Sequence, residues 1–356
     1  MSALTLHPST SFGDTAPAFA GTPAEYRHGS RDAVRLLVAR ATGIAHRRFH
    51  DLVDELRPGD ALVVNTSATV NGEIDAVRVA AGRRTPVVLH VATALDDGDW
   101  VVELRTAPDA AAPVLDASPG DVIEAGPLGL LTVRSTYPEG ASRGGGNRLW
   151  RVTADADVRA ALDLHGRPIA YGYLDGRWPL SAYQTIFGQV PGSAEMASAA
   201  RPFTQDLVMA LIARGVLFAP IVLHTGVSSQ EAGEPPQPER FEVAQATADL
   251  LNHVRSRGGR VVAVGTTATR AVESAVVGGR VVARRGWTER VITPADPPRI
   301  VDGLITGWHD AQASHLLLVE ALAGADLTQR AYDAALAGGY AWHEFGDSCL
   351  LLPDRR

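Results

Sequence analysis

The stretch VVAVGTTATRAVESA, residues 261–275, sets a glycine, paired threonines, an arginine and a glutamate where an apolar run meets a helical pattern. The spacing predicts a strand that stops at Gly265 and a helix that opens at Thr266 or Thr267, either of which can cap it. A helix start carries backbone N–H groups with no intrahelical partner, so this turn has the chemistry to hold an anion. Arg270 adds a guanidinium one turn on, and Glu273 a carboxylate beyond it. The same residues also fit a capped helix with an internal Arg270–Glu273 pair, worth only about 0.2–0.5 kcal/mol.

Chemistry that needs a side-chain amine is excluded. All 33 basic residues are arginine, with no lysine among the 356 positions. A lysine-bearing phosphate loop and a Schiff base are therefore impossible, and proton transfer falls to carboxylates and imidazoles. The single Cys349 rules out an internal disulfide and a cysteine-based zinc site; no metal is expected. A net charge of −7 argues against a broad polyanion-binding face, and residues 72–165, with 14 acidic against 9 basic side chains, hold most of that excess. No apolar run reaches the ~18 residues of a membrane helix, and no basic segment followed by an apolar one opens the chain, so the expectation is a soluble, cytoplasmic protein with no membrane partner.

The elements that must position these groups alternate in type. RLLVAR (35–40) and DALVVNTS (60–67) read as strands, with a helix-like FHDLVDEL and the turn RPGD between them. Residues 1 to about 29 read as a loosely ordered lead-in. From Gly72 to Arg151 the pattern changes to five strand candidates: TPVVLHVATA, DWVVELRTA, GDVIEAG, LLTVRSTY and NRLWRVTA. They are separated by Gly, Pro and Asp with no convincing helix, and GASRGGGNR (140–148) reads as a hairpin tip. Beyond them TQDLVMALIARG predicts a helix capped by Thr204, VLFAPIVLHTG a strand, RFEVAQATADLLNHVRSRGG a second helix, and LITGWHD and DSCLLLP later strands. The fold class expected is α/β: a mixed-sheet main domain, 1–71 and 166–356, carrying an inserted antiparallel β-barrel domain, 72–165.

In order and spacing, SRDAVRLLV, FHDLVDELRPGDALVVN, YQTIF, FTQDLVMALIARGV, LHTG, FEVAQATADLLN, GGRVVAVGTTATRAVESA, VDGLITGWH and GDSCLLL together resemble the S-adenosylmethionine:tRNA ribosyltransferase-isomerases of queuosine biosynthesis. The resemblance covers nearly the whole chain. It implies an α/β domain with an inserted β-barrel. It also implies that S-adenosylmethionine serves as a substrate, its ribosyl part passing to the aminomethyl group of a deazaguanine base in tRNA with release of adenine and methionine. Such a reaction needs a base near C5′, where the sulfonium acidifies the C–H bonds.

In that context Gly265, Thr266, Thr267 and Arg270 are expected to bind the cofactor, Arg270 and the helix start taking the methionine carboxylate. Glu273 either pairs with Arg270 or faces the ammonium. Tyr183, Trp308 and Trp342 are candidates for stacking on adenine or facing the sulfonium, with core packing favoured for Trp342. The acid–base candidates are His309, His224, Glu344 and Asp347. His309 leads because it ends a strand beside Trp308, where ligands of α/β sheets sit. His224 fits a core histidine equally well, Asp347 a brace after Gly346, and Glu344 a solvated charge.

The chain departs from the family pattern at several places. IAYGYL (169–174) stands where Pro-Pro-Tyr-Ile is usual. GSAEMASAARPFT (192–204) has Ala197 for a proline and Pro202 for a histidine. Ala68 in NTSAT stands for an arginine, PQPE (236–239) for Met-His-Ser-Glu, and TGWHDAQAS (306–314) for Thr-Asn-Phe-His-Leu-Pro-Lys-Ser. Three readings follow: ribosyl transfer to tRNA; use of S-adenosylmethionine with a small-molecule acceptor, or its simple cleavage; and non-catalytic binding of the cofactor or of adenine. None of these residues fixes the oligomeric state.

Overall fold

The computed structural model describes residues 7–12, 17–139, 146–227, 235–309 and 314–354. Fifteen of its strands build two sheets. In chain order they are β1 (Arg35–Arg40), β2 (Gly43–Arg48), β3 (Ala61–Asn65), β4 (Glu73–Ala80), β5 (Arg83–Ala94), β6 (Trp100–Thr106), β7 (Val122–Glu124), β8 (Leu130–Thr136) and β9 (Leu149–Ala154), then β10 (Leu217–His224), β11 (Glu239–Val243), β12 (Val261–Val264), β13 (Arg284–Thr288), β14 (Gly303–Thr306) and β15 (Ser348–Leu352). The helices are α1 (Ala24–His28), α2 (Leu52–Glu55), α3 (Val158–His165), α4 (Gln205–Ala213), α5 (Gln245–Ser256), α6 (Thr266–Ser274), α7 (Ser314–Ala323) and α8 (Ala325–Ala337).

Nine strands form one mixed sheet in the order β13-β11-β10-β3-β12-β14-β15-β1-β2. Its centre, β10-β3-β12-β14, is parallel. Both faces are covered because the central strands are apolar along most of their length, with polar residues such as Asn65, His224 and Thr306 only at their ends, and their two-residue period sends alternate side chains to opposite sides. Ala61, Val63, Val261 and Ala263 pack with residues of α5 to α8 on one face. Leu62, Val64, Val262 and Val264 pack with Phe49, Phe203, Leu207 and Leu211 on the other.

The other six strands close into a barrel in the order β8-β9-β6-β5-β4-β7. The five strand candidates are all present, but closure depends on a sixth. Strand β4 pairs with both β5 and β7, and its polar residues Glu73, Asp75 and Arg78 hide it from an apolar-run search. A helix, α3, also follows the barrel strands; Asp157 caps it by accepting from the Ala160 amide. The hairpin-tip reading of 140–148 falls largely outside the described residues.

Two local expectations change. RFEV does not continue into the following helix; it forms β11, between β10 and β13. The described part of the lead-in is also packed. Ala18–Phe19 pairs with Ala341–Trp342, Phe12 stacks on Tyr332 at 5.1 Å, and Thr10 donates to Glu320. Among the described residues no helix is long and apolar enough to cross a membrane.

Candidate active site

The parallel strands β12 and β14 end at one rim of the sheet, and a cleft of about 160 Å³ opens there. Three walls meet in it. The first is Gly265 with the start of α6; the second is Thr306 to His309 after β14, with His315 of α7; the third joins Tyr173, Glu195, His343 and Glu344.

Gly265 makes the first wall possible. Its φ of 98° and ψ of 155° occupy a region that essentially only glycine visits, and they swing the chain from strand to helix in one residue. Its amide donates to the Ile305 carbonyl at 2.8 Å, tying β12 to β14. Neither threonine caps the helix: Gly265 holds the N-cap position and no side chain bonds to the first turn. Thr266 and Thr267 therefore bring first-turn amides, at the positive end of the helix dipole, to the cleft.

Arg270 lines the cleft, but its guanidinium has other partners. It donates to the Glu239 carboxylate and to the carbonyls of Gln237 (2.9 Å) and Thr288 (3.4 Å). The guanidinium is thus already engaged by protein groups on this wall of the cleft. Glu273 points elsewhere too. Its carboxylate accepts from Arg290 and from the amides of Arg299, Ile300 and Val301 at 2.8–3.0 Å, so it holds the loop before β14 and pairs with no Arg270.

On the second wall His309 accepts or donates at Nε2 with the Thr306 hydroxyl, 2.9 Å away, and its ring stacks on His315 at 4.9 Å. Burial, and then the neighbouring His315 and His343, push His309 well below the usual imidazole range. Burial followed by the charge of Arg270 brings His315 down to about 4. Two neutral imidazoles therefore face the cleft at physiological pH. Trp308 borders it but is 3 % exposed, edge-on to Tyr332 and stacked on Trp342. Both tryptophans belong to the aromatic core.

The third wall is acidic. Tyr171 donates its hydroxyl to Glu195, and Tyr173 donates to Glu344. Burial raises the Glu344 carboxyl, the Tyr173 phenol draws it back, the charge of Glu195 raises it again, and the balance is a value of about 7. His343 stacks on Tyr173 at 4.4 Å from a left-handed backbone, φ 70°, a strained conformation for a non-glycine residue.

Three candidates lie outside the cleft. Asp347 is 3 % exposed and braces a turn, accepting from the Arg35 guanidinium and from the amides of Arg35 and Ala341. Tyr183 is buried against Phe345. His224 bonds through Nδ1 to Ser67 at 2.7 Å and borders a second cavity of only about 10 Å³, room for a single water at most. The cleft residues that sequence reasoning missed are Tyr173, Glu195, His315, His343 and Glu239. The signal for three of them was that Tyr173, Glu195 and Glu239 fall in segments departing from the family pattern. Among the described residues no group of three or more His, Cys, Asp or Glu is arranged to hold a metal ion.

Fold and cleft together define an α/β protein with an inserted barrel and a rim-side site suited to a small ligand carrying both charge signs. The chain belongs to the family described as "Queuosine biosynthesis protein", whose profile matches residues 16–351. It is 34% identical to the S-adenosylmethionine:tRNA ribosyltransferase-isomerase of Novosphingobium aromaticivorans over 91% of this chain and 94% of that one. It is 32% identical to the enzyme of the same name from Gloeobacter violaceus, over 91% and 90%. Among solved structures it is similar to the S-adenosylmethionine tRNA ribosyltransferase of Thermotoga maritima, with a TM-score of 0.51 and 26% identity over 94% of this chain and 96% of that one.

Proposed function

We propose that the cleft binds S-adenosylmethionine and that the protein transfers its ribosyl part, with isomerisation, to a tRNA base. The observation that carries this reading is the opposition of the first-turn amides at Thr266 and Thr267, which no side chain caps among the described residues, to the carboxylates of Glu195 and Glu344 across one cavity. An amino-acid carboxylate fits the amides, and a sulfonium or ammonium fits the acids. The names of the relatives supply the acceptor.

Glu344 is the group matched to the proton step. With a carboxyl near 7 it is partly ionised at neutral pH and can take the C5′ proton that the sulfonium acidifies. Adenine then leaves with the electron pair of its glycosidic bond, the acceptor amine bonds to the ribosyl part, and the carbon–sulfur bond breaks with sulfur keeping its pair, so that methionine is released. His309 and His315, held neutral, offer hydrogen bonds to the departing base instead of a charge.

A second reading, an acceptor smaller than tRNA, is favoured by Ala68 and Pro202, which put no charge and no imidazole where the family pattern has them. One assay separates the two. Purified protein is incubated with S-adenosylmethionine, with and without tRNA bearing the deazaguanine base, and adenine is quantified across a salt series. The first reading expects release that depends on tRNA and falls steeply with salt. Release indifferent to both selects the second, and no binding of S-adenosylmethionine at all removes each of them.

A further inference from the structure

We propose that Tyr171 and Tyr173 are positioning residues for this reaction: through one hydrogen bond each they hold Glu195 and Glu344 together on one wall of the cleft as a coupled acid–base pair. The inference rests on the reading of the cleft as the site of ribosyl transfer, and it adds Glu195 and both tyrosines to the groups that matter there.

The geometry is that of a clamp with two fixed ends. The phenol rings lie nearly parallel, 6.1 Å apart at 17°, and only Gly172 separates them in sequence. Tyr171 is anchored by the barrel. Its ring meets His90 edge-on at 5.7 Å and lies under the Arg105 guanidinium at 5.1 Å. His90 is held in turn between Glu73 and Glu103, and Arg105 donates to Glu103 at 2.7 Å. Tyr173 is anchored from the other side by His343, at 4.4 Å, and Phe19, at 5.9 Å. The hydroxyls therefore stand where barrel and main sheet place them, and each ends on a carboxylate lining the cleft.

A negative charge at Glu195 disfavours a second one forming at Glu344 on the same wall. Among the described residues, the titratable and charged groups facing Glu344 are Tyr173 and Glu195 beside it, Tyr183 behind it, His343 on its own segment, and across the cleft the neutral His309 and His315 with the Arg270–Glu239 pair. Of these, the Tyr173 phenol favours the ionised form of Glu344 and Glu195 favours the protonated one. The two neighbours thus act in opposite directions on one proton.

That opposition is the test. The pH dependence of kcat for adenine release is measured for the wild type, Tyr173→Phe, Glu195→Gln, Tyr171→Phe and the Tyr171→Phe/Glu195→Gln double variant. Tyr173→Phe should move the acidic limb up, and Glu195→Gln should move it down, each by roughly one pH unit. Tyr171→Phe, which removes the phenol that positions Glu195 beside Glu344, should move the limb down, and should do nothing further once Glu195 is glutamine. A purely structural role predicts lower kcat with an unmoved limb, or shifts of one sign in every variant, and either result overturns the proposal. Should the wild type release no adenine, which would count against the function itself, the same variants are titrated by infrared difference spectroscopy, with Glu344→Gln to assign the carboxyl band. Opposite shifts still support the clamp, and parallel or absent shifts reject it.

Discussion

Arg270 and Glu239, 31 residues apart, form an ion pair along the cleft between α6 and the first residue of β11. Arg270 is 5 % exposed, so its charge is compensated by this partner and by carbonyl groups instead of water. Removing one member of such a pair leaves the other buried and alone. Arg270→Ala is expected to cost on the order of 3 kcal/mol of stability in urea denaturation, with S-adenosylmethionine affinity changed less than tenfold where the variant is folded. A large loss of affinity with stability intact would return the guanidinium to the ligand.

Gly265→Ala tests the wall that carries the amides. A methyl group at Gly265 would meet Ala199 and the Thr267 hydroxyl at 3.5 Å, ordinary contact, so the penalty comes from the backbone conformation and not from crowding. About 1–3 kcal/mol is expected from forcing alanine into this region. Relaxation of the turn would redirect the first-turn amides, and calorimetry should find S-adenosylmethionine binding weakened at least tenfold. Unchanged affinity would mean that those amides do not hold the ligand.

Much of the main sheet is legible in sequence because its inner strands are largely apolar runs: β1, β3, β10, β12 and β15 lie within the segments read as strands, β14 starts one residue before LITGWHD, and β2 and β13 carry no such run. Strand β4 is not legible, since Glu73, Asp75 and Arg78 interrupt its apolar period; their reason for being there is pairing with distant Arg167 and Asp121. β11 was masked because no glycine or proline separates RFEV from the helix after it. At the cleft, Gly265 to Thr267 were visible from their place at the end of β12, whereas β14 stops at Thr306 and His309 lies in the loop three residues beyond it. The Tyr173–Glu344 contact spans 171 residues, and no local period reports a contact of that range. Asp347 and Glu273 show the converse: both have the right residue type near the right motif, and both are used to hold backbone.

Glu344 should make the protein less stable as pH rises. Its folded-state carboxyl titrates near 7, above the ordinary 4.5, so its contribution is fully present below 4.5 and is lost as pH climbs through 7. The bound on that loss is about 3 kcal/mol, reduced by whatever water reaches the cleft. Glu344→Gln cannot ionise and retains an acceptor for Tyr173. Urea denaturation from pH 5 to 8 should therefore show the variant gaining on the wild type with rising pH, while adenine release falls at least a hundredfold. A stability difference independent of pH would remove Glu344 from the proton step.

Glu73 has the opposite sign and acts where the barrel meets the main domain. Burial alone would raise its carboxyl, but hydrogen bonds from His90, from Arg177 and from the Ala170 amide bring it down to about 2. Arg167 donates to the same oxygen as Arg177, each at 2.6 Å. The carboxylate thus ties the first barrel strand to the segment leading to Tyr171. A depressed carboxyl contributes stability above pH 4.5 that is lost as pH falls toward 2. Glu73→Gln is expected to destabilise by on the order of 3 kcal/mol at pH 7, because His90 and two guanidinium groups lose their counter-charge. The gap to the wild type should narrow steadily below pH 4.5. Circular dichroism melts at pH 7, 5 and 3.5 measure it, and a gap that stays constant across the three would show that the charge of Glu73 is not what holds the junction.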